Sequence, residues 1–252
     1  MLFALFRPGK ILTLAILIAV AGGIWWAWGR IHRSSPASES AALAAVRDGK
    51  GTEAGAPRPG VYRYASGGDE RIGFGPLSVG RKLPAEALLV VSPSPNSRFI
   101  DLRVSGDHAE GWRVQSSEVG LKGIARTIRV GTFGYTREVS GTATPPVLLR
   151  PAKLKKGQTW QSIYKVGAIV FHRDSKVLDR ATVTVGGRPV RTWIIQTQET
   201  VTGGLHGDET RKEWWSPSLG VDVRVEWHRD LEGTIQNVVS DTLDLKSIDP
   251  LR

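Results

Sequence analysis

One short stretch near the C-terminus restricts the fold more than any other. Val221, Val223, Val225 and Trp227 alternate with Asp222, Arg224, Glu226 and His228. A period of two places the apolar residues on one face and the charged residues on the other, a pattern that a helix with 3.6 residues per turn does not produce. The stretch is expected to be an antiparallel strand, buried on one side and wet on the other. Its surroundings carry hairpin punctuation. Gly186-Gly187 separates residues 182–185 from 188–195, a two-residue turn signal. Residues 216–220 and 230–233 supply two further turns, so the spacing predicts a continuous meander over 181–245.

The same texture extends back to residue 60. Strands are expected at 61–65, 71–74, 87–92, 99–105, 111–116, 125–130, 135–139 and 159–166, and no long amphipathic helix interrupts them. The glycine-rich run 73–80 reads as strand and turn, because it lacks the dinucleotide-binding spacing and no helix follows it. The predicted class is all-β: a strongly curved antiparallel sheet, either a half-barrel or a barrel-like meander.

Ahead of this domain, residues 11–28 read ILTLAILIAVAGGIWWAW without a charge. As a helix at about 1.5 Å per residue the run covers roughly 27 Å, close to the hydrocarbon thickness of a bilayer. Trp25, Trp26 and Trp28 crowd its second end, where amphipathic rings favour the headgroup layer. One N-terminal transmembrane helix is therefore expected within residues 1–29. A cleaved signal peptide is the rival reading, since Ala19-Val20-Ala21 fits a small-residue cleavage pattern. The basic flanks are nearly symmetric, with Arg7 and Lys10 on one side and Arg30 and Arg33 on the other. The short N-terminal tail favours a C-terminal domain outside the cytoplasm at the plasma membrane. Residues 30–59, rich in Ser, Ala, Gly and Pro, form the expected flexible linker. Within it a short helix starting at Ser38 or Ser40 and ending near Gly49 is the alternative. The β-rich extracytoplasmic domain then occupies residues 60–252.

Chemistry is sparse. The chain has no cysteine, which excludes disulfides, thiolate metal sites and a thiol nucleophile. It carries no nucleophile elbow, phosphate loop, zinc-protease helix or calcium loop. No catalytic residue, metal or cofactor is assigned. The nearest candidates for an acid–base pair are His108 with Glu110, two apart on one strand face, and the polar turn around His206, Asp208 and Glu209. His32, His172 and His228 read as surface residues. The net charge of +10 comes without a nucleic-acid recognition motif, so nucleic acid is not an expected partner. Lys153, Lys155 and Lys156 form one local basic run, read as a solvated loop or guarded sheet edge.

Tryptophan is the more telling residue. Trp160, Trp193 and Trp227, with Val223 and Val225, are the candidate lining of an apolar concave face that holds a lipid, glycolipid or other envelope amphiphile. Tightly packed aromatic core between sheet layers is the competing reading. Trp214 and Trp215 are adjacent, so one of them is expected at a rim. The turn motifs Pro59-Gly60-Val61-Tyr62-Arg63-Tyr64, Gly68-Asp69-Glu70, Gly157-Gln158-Thr159-Trp160 and Trp215-Ser216-Pro217-Ser218-Leu219-Gly220 resemble those of uncharacterised actinobacterial membrane-anchored envelope proteins. The last is also similar to periplasmic domains of unknown function related in shape to lipoprotein-carrier half-barrels. The resemblance implies an envelope location and a β-rich fold, and no catalytic residue. The chain has no lipobox cysteine, unlike carrier lipoproteins. The expected function is amphiphile binding by a tethered domain. The alternative is a structural or assembly protein with a filled core that contacts another envelope protein.

Overall fold

The computed structural model describes residues 34–46, 57–74, 77–132 and 134–252. The expected membrane anchor, with Trp25, Trp26 and Trp28, lies outside the described residues. Among the described residues no helix is long and apolar enough to cross a membrane.

The domain is all-β, as the alternation requires. Its strands are β1 (Gly60–Ser66), β2 (Asp69–Phe74), β3 (Leu77–Lys82), β4 (Glu86–Ser94), β5 (Ser97–Arg103), β6 (His108–Ser117) and β7 (Gly120–Thr132). There follow β8 (Tyr135–Pro151), β9 (Thr159–Val166), β10 (Ile169–Val185), β11 (Arg188–Thr202), β12 (His206–Ser216), β13 (Val221–Glu232) and β14 (Gln236–Leu245). From β4 to β14 each strand pairs antiparallel with the next. The predicted meander over 181–245 corresponds to β10–β14. Gly186 and Gly187 both adopt positive φ (53° and 78°), which closes Val185 onto Arg188 as the two-residue turn demands.

The registers explain how the sheet closes. β14 pairs with β1 at Tyr64↔Leu245 and with β2 at Asp69↔Ser240, and both pairings keep one register. β1 with β4 (Tyr64↔Ala87) and β2 with β3 (Asp69↔Lys82) do the same. Thus β1 and β2 are two halves of one strand, and β3 and β4 are two halves of its neighbour. The break falls where a Cβ on Gly68 would sit 2.4 Å from the Ser240 carbonyl oxygen, a contact that only glycine tolerates. Twelve strands then form a closed barrel. Of the two expected architectures the half-barrel is corrected: the C-terminal strand returns to the first one and leaves no open concave face.

Closure is thinnest between β8 and β9, which share one registered pair, Thr144↔Lys165. Pro145 and Pro146 follow directly and have no N–H to offer a ladder. The Trp160 indole spans this seam instead, its Nε1 donating to the Leu148 carbonyl at 3.0 Å.

Part of the expected linker is ordered on the barrel. Helix α1 (Glu39–Val46) begins with the Ala41 amide donating to Ser38 Oγ at 3.3 Å, the capping role anticipated for that serine. Its Ala42 and Val46 pack on Val61, Leu88 and Val90 from outside the ring. Arg63 forms an ion pair with Glu39 at its first turn.

A meander sends alternate turns to opposite rims. Turns at 104–107, 134, 167–168, 203–205 and 233–235 gather at what we term the upper rim; those at 95–96, 118–119, 186–187 and 217–220 gather at the lower. The β7–β8 hairpin reaches the opposite wall, where Arg137 donates to Thr234 Oγ1 at 2.9 Å.

Candidate functional site: a charged lumen with an apolar wall

The inward face of β13 continues past Trp227 to Arg229, which is completely buried. The neighbouring strands do likewise: β12 turns Glu209, Arg211 and Glu213 inward, β10 turns Arg173, and β11 turns Glu199. Taking such charges out of water is costly unless each meets a counter-charge. Here the partners come from across the lumen and from the neighbouring strand. Arg229 and Arg211 both contact the carboxylates of Glu110, on β6, and Glu209. Arg126 on β7 reaches Glu199 and the Tyr164 hydroxyl, and that hydroxyl donates to Glu199 at 2.8 Å. Arg150 on β8 meets Glu213 at 2.7 Å and Asp222 at 3.4 Å. Aromatic faces cover the guanidiniums: Arg211 and Arg229 lie 4.5 Å and 4.7 Å from the Trp227 ring centre, and Arg126 lies 4.6 Å from that of Phe171.

A second knot sits under the upper rim. Glu70 accepts hydrogen bonds from Arg81 Nε and Asn237 Nδ2, each at 2.8 Å, and lies 2.9 Å from His108 Nδ1. Burial alone would raise the Glu70 carboxyl; the imidazole contact and the Arg81 charge outweigh it and hold the group at about 2. Burial pulls His108 below its usual value, against the opposing pull of Glu70. The ring is fully enclosed, edge-on to Trp227 at 5.3 Å. His108 and Glu209 are thus buried rather than at the surface, Glu209 on the inward face of β12. Asp208 is exposed and bonds to Thr200 Oγ1 at 2.7 Å. His108 and Glu110 do share the inward face of β6, as the spacing implied. They serve different clusters, and His108 Nε2 has no hydrogen-bond partner among the described residues.

Between the charged cross-braces and the lower rim lies a cavity of about 130 Å³. Leu89, Ile100, Leu102, Val225 and Leu243 make one wall; Arg150, Arg173, Arg211, Glu209 and Glu213 make the other. Trp215, Leu121 and Asp222 are half-exposed at its mouth. Burial, with the Glu213 charge adding to it and Arg150 opposing, raises the Asp222 carboxyl to about 6. Arg173 is the least engaged of these cations: it lies 3.5 Å from Glu199 and 3.5 Å from Thr197 Oγ1, and its Nε has no partner.

No family model matches this chain, and neither does any curated protein. Among solved structures it is similar to the hypothetical lipoprotein YmcC from Escherichia coli K12, with 13% identity and a TM-score of 0.36 over 73% of this chain and 86% of that one.

The sequence-predicted lining divides in two. Val223, Val225 and Trp227 stand together on the inward face of β13, and Val225 lines the cavity. Trp160 is half-buried at the β8–β9 seam. Trp193 is half-buried beside an open groove, with the Arg180 guanidinium 4.1 Å over its ring. Of the adjacent pair, Trp214 is covered and Trp215 sits at the cavity mouth. The charged half of the lumen escaped the sequence reading. Its available signal was the polar alternation Glu209, Arg211, Glu213 between two hairpin turns.

Proposed function

We propose that this chain is a membrane-tethered extracytoplasmic barrel whose lumen binds a short stretch of an envelope amphiphile, such as a lipid or glycolipid. One observation carries the reading: a single cavity has an apolar wall and a charged wall and opens at the lower rim. A molecule that is half apolar and half polar matches such a site. Size limits the occupant. An engineered cavity of about 150 Å³ holds benzene, so a space of this order takes a headgroup or a few carbons and leaves the rest of an acyl chain outside. The uncharged run 11–28 and the resemblance of the turn motifs to anchored envelope proteins support the location.

The test is saturable binding of a dansylated medium-chain fatty acid to the full chain, paired with native mass spectrometry for co-purified amphiphile. Leu121→Trp narrows the mouth at a half-exposed position and is expected to weaken binding about tenfold, or about 1.4 kcal/mol. A non-saturable signal together with an empty mass spectrum refutes the proposal.

The alternative, an assembly protein with no ligand, draws on the β8 edge. Residues 135–142 pair with β7 and have no registered partner on their other side among the described residues. Such an edge is a template for an added strand. Crosslinking from Thr136 or Glu138 in native membranes would capture a specific neighbour on this reading.

A further inference from the structure

We propose that the upper rim, through the tips of the β2–β3 and β7–β8 hairpins, rests on the surface of a lipid bilayer. The inference rests on reading residues 11–28 as an uncleaved span, and adds to that reading which end of the barrel meets lipid.

Covalent reach is the first argument. The chain enters the described structure pinned beside the upper rim: Ser34 Oγ donates to the Lys82 carbonyl at 2.8 Å, and the Gly106 amide donates to the Ser35 carbonyl at 2.7 Å. Gly106 belongs to the 104–107 turn of that rim. Residues 29–33 separate Trp28 from Ser34. Fully extended at about 3.3–3.6 Å per residue, that interval spans no more than about 20 Å. With Trp28 in the headgroup layer, the upper rim stands within that distance of the bilayer, while the lower rim points away.

The second argument is what the rim presents. Leu77 is 72% exposed and Tyr135 46% exposed, and they sit at the two hairpin tips. The Phe74 ring, which flanks the β2–β3 tip opposite Leu77, meets Tyr135 edge-on at 5.7 Å. Arg71 is exposed on β2, and Arg137 is half-exposed beside Tyr135 on β8. Apolar and amphipathic tips with arginines behind them suit the boundary between acyl chains and headgroups. Glu232 and Asp230 on β13 make another sector of the same rim acidic, which tilts the hairpin tips, rather than that sector, toward lipid.

The absence of cysteine makes the test clean. Full-length protein carrying Leu77→Cys, Tyr135→Cys or Val119→Cys is labelled with an environment-sensitive dye. It is then reconstituted in vesicles of equal parts phosphatidylcholine and phosphatidylglycerol. Val119 is exposed at the lower rim and is the control. Lipid-borne quenchers are expected to quench the dye at 77 and 135 several-fold more than at 119. Equal quenching at all three sites, in protein that floats with vesicles, overturns the docking inference and leaves the anchor intact. Full-length protein that fails to float overturns the anchor and the docking together.

Discussion

Glu70 shows how much one buried carboxylate organises. It serves Arg81, His108 and Asn237 at once, from three different strands. Replacing a buried ion pair wholesale with apolar residues is often neutral, but removing one partner leaves an uncompensated charge and costs roughly 3–5 kcal/mol. Glu70→Gln is therefore expected to destabilise the fold by about that amount, read as a lowered denaturant midpoint with an unchanged slope. The pH dependence follows from the same contacts. A carboxyl held at about 2 in the fold, against an ordinary 4.5, contributes stability that is complete above 4.5 and disappears as the pH falls toward 2. Glu199 and Glu213, both lowered by facing arginines despite their burial, add to this acid limb. Thermal melts in wild type should drop steeply across that window, and in Glu70→Gln the drop should be shallower. Asp222 acts in the opposite sense. Its carboxyl is raised from 3.8 to about 6, so its share is complete below 3.8 and is lost as the pH climbs through about 6. Asp222→Asn should flatten that side of the curve.

At the level of elements, the seam between β8 and β9 is the weak line of the ring. Trp160 there substitutes a side-chain hydrogen bond for a missing ladder. Trp160→Phe keeps the ring and removes the donor, with an expected loss of about 1 kcal/mol. Faster amide hydrogen exchange should be confined to β8, β9 and their flanking turns, and uniform acceleration across the barrel would contradict the seam's special status. The elements also show where the sequence was legible. The alternation on β13 and the turns at 186–187 and 216–220 were plain because apolar residues face inward there. β10 was anticipated only from residue 181, yet it starts at Ile169. Its first half turns Arg173 and Ser175 inward beside Phe171 and Val177, so the hydrophobic period is hidden behind polar side chains. β12 lies within the predicted meander, but its inward face is polar in the same way. Ring closure was undecided because it depends on Gly68, whose need appears only when β14 arrives 2.4 Å from its missing Cβ.

For the whole molecule, closure joins the first strand to the last. No part of such a ring is complete while another is missing: most ladders join consecutive strands, and the pairings of β14 with β1 and β2 join the two ends of the chain. We expect one cooperative transition, with tryptophan fluorescence and far-ultraviolet circular dichroism coincident, and folding slowed by the non-local closure of β14 onto β1 and β2. Truncation after Gly233, which deletes β14, should abolish the cooperative melt rather than lower its midpoint.

The mouth beside Trp215 and the contacts of Ser34 and Ser35 with Lys82 and Gly106 lie toward opposite ends of the cylinder. On the proposed function, an amphiphile enters from the side averted from Ser34. That reading has the amphiphile arrive from the far compartment or by another protein's hand-over, not sideways from a supporting leaflet.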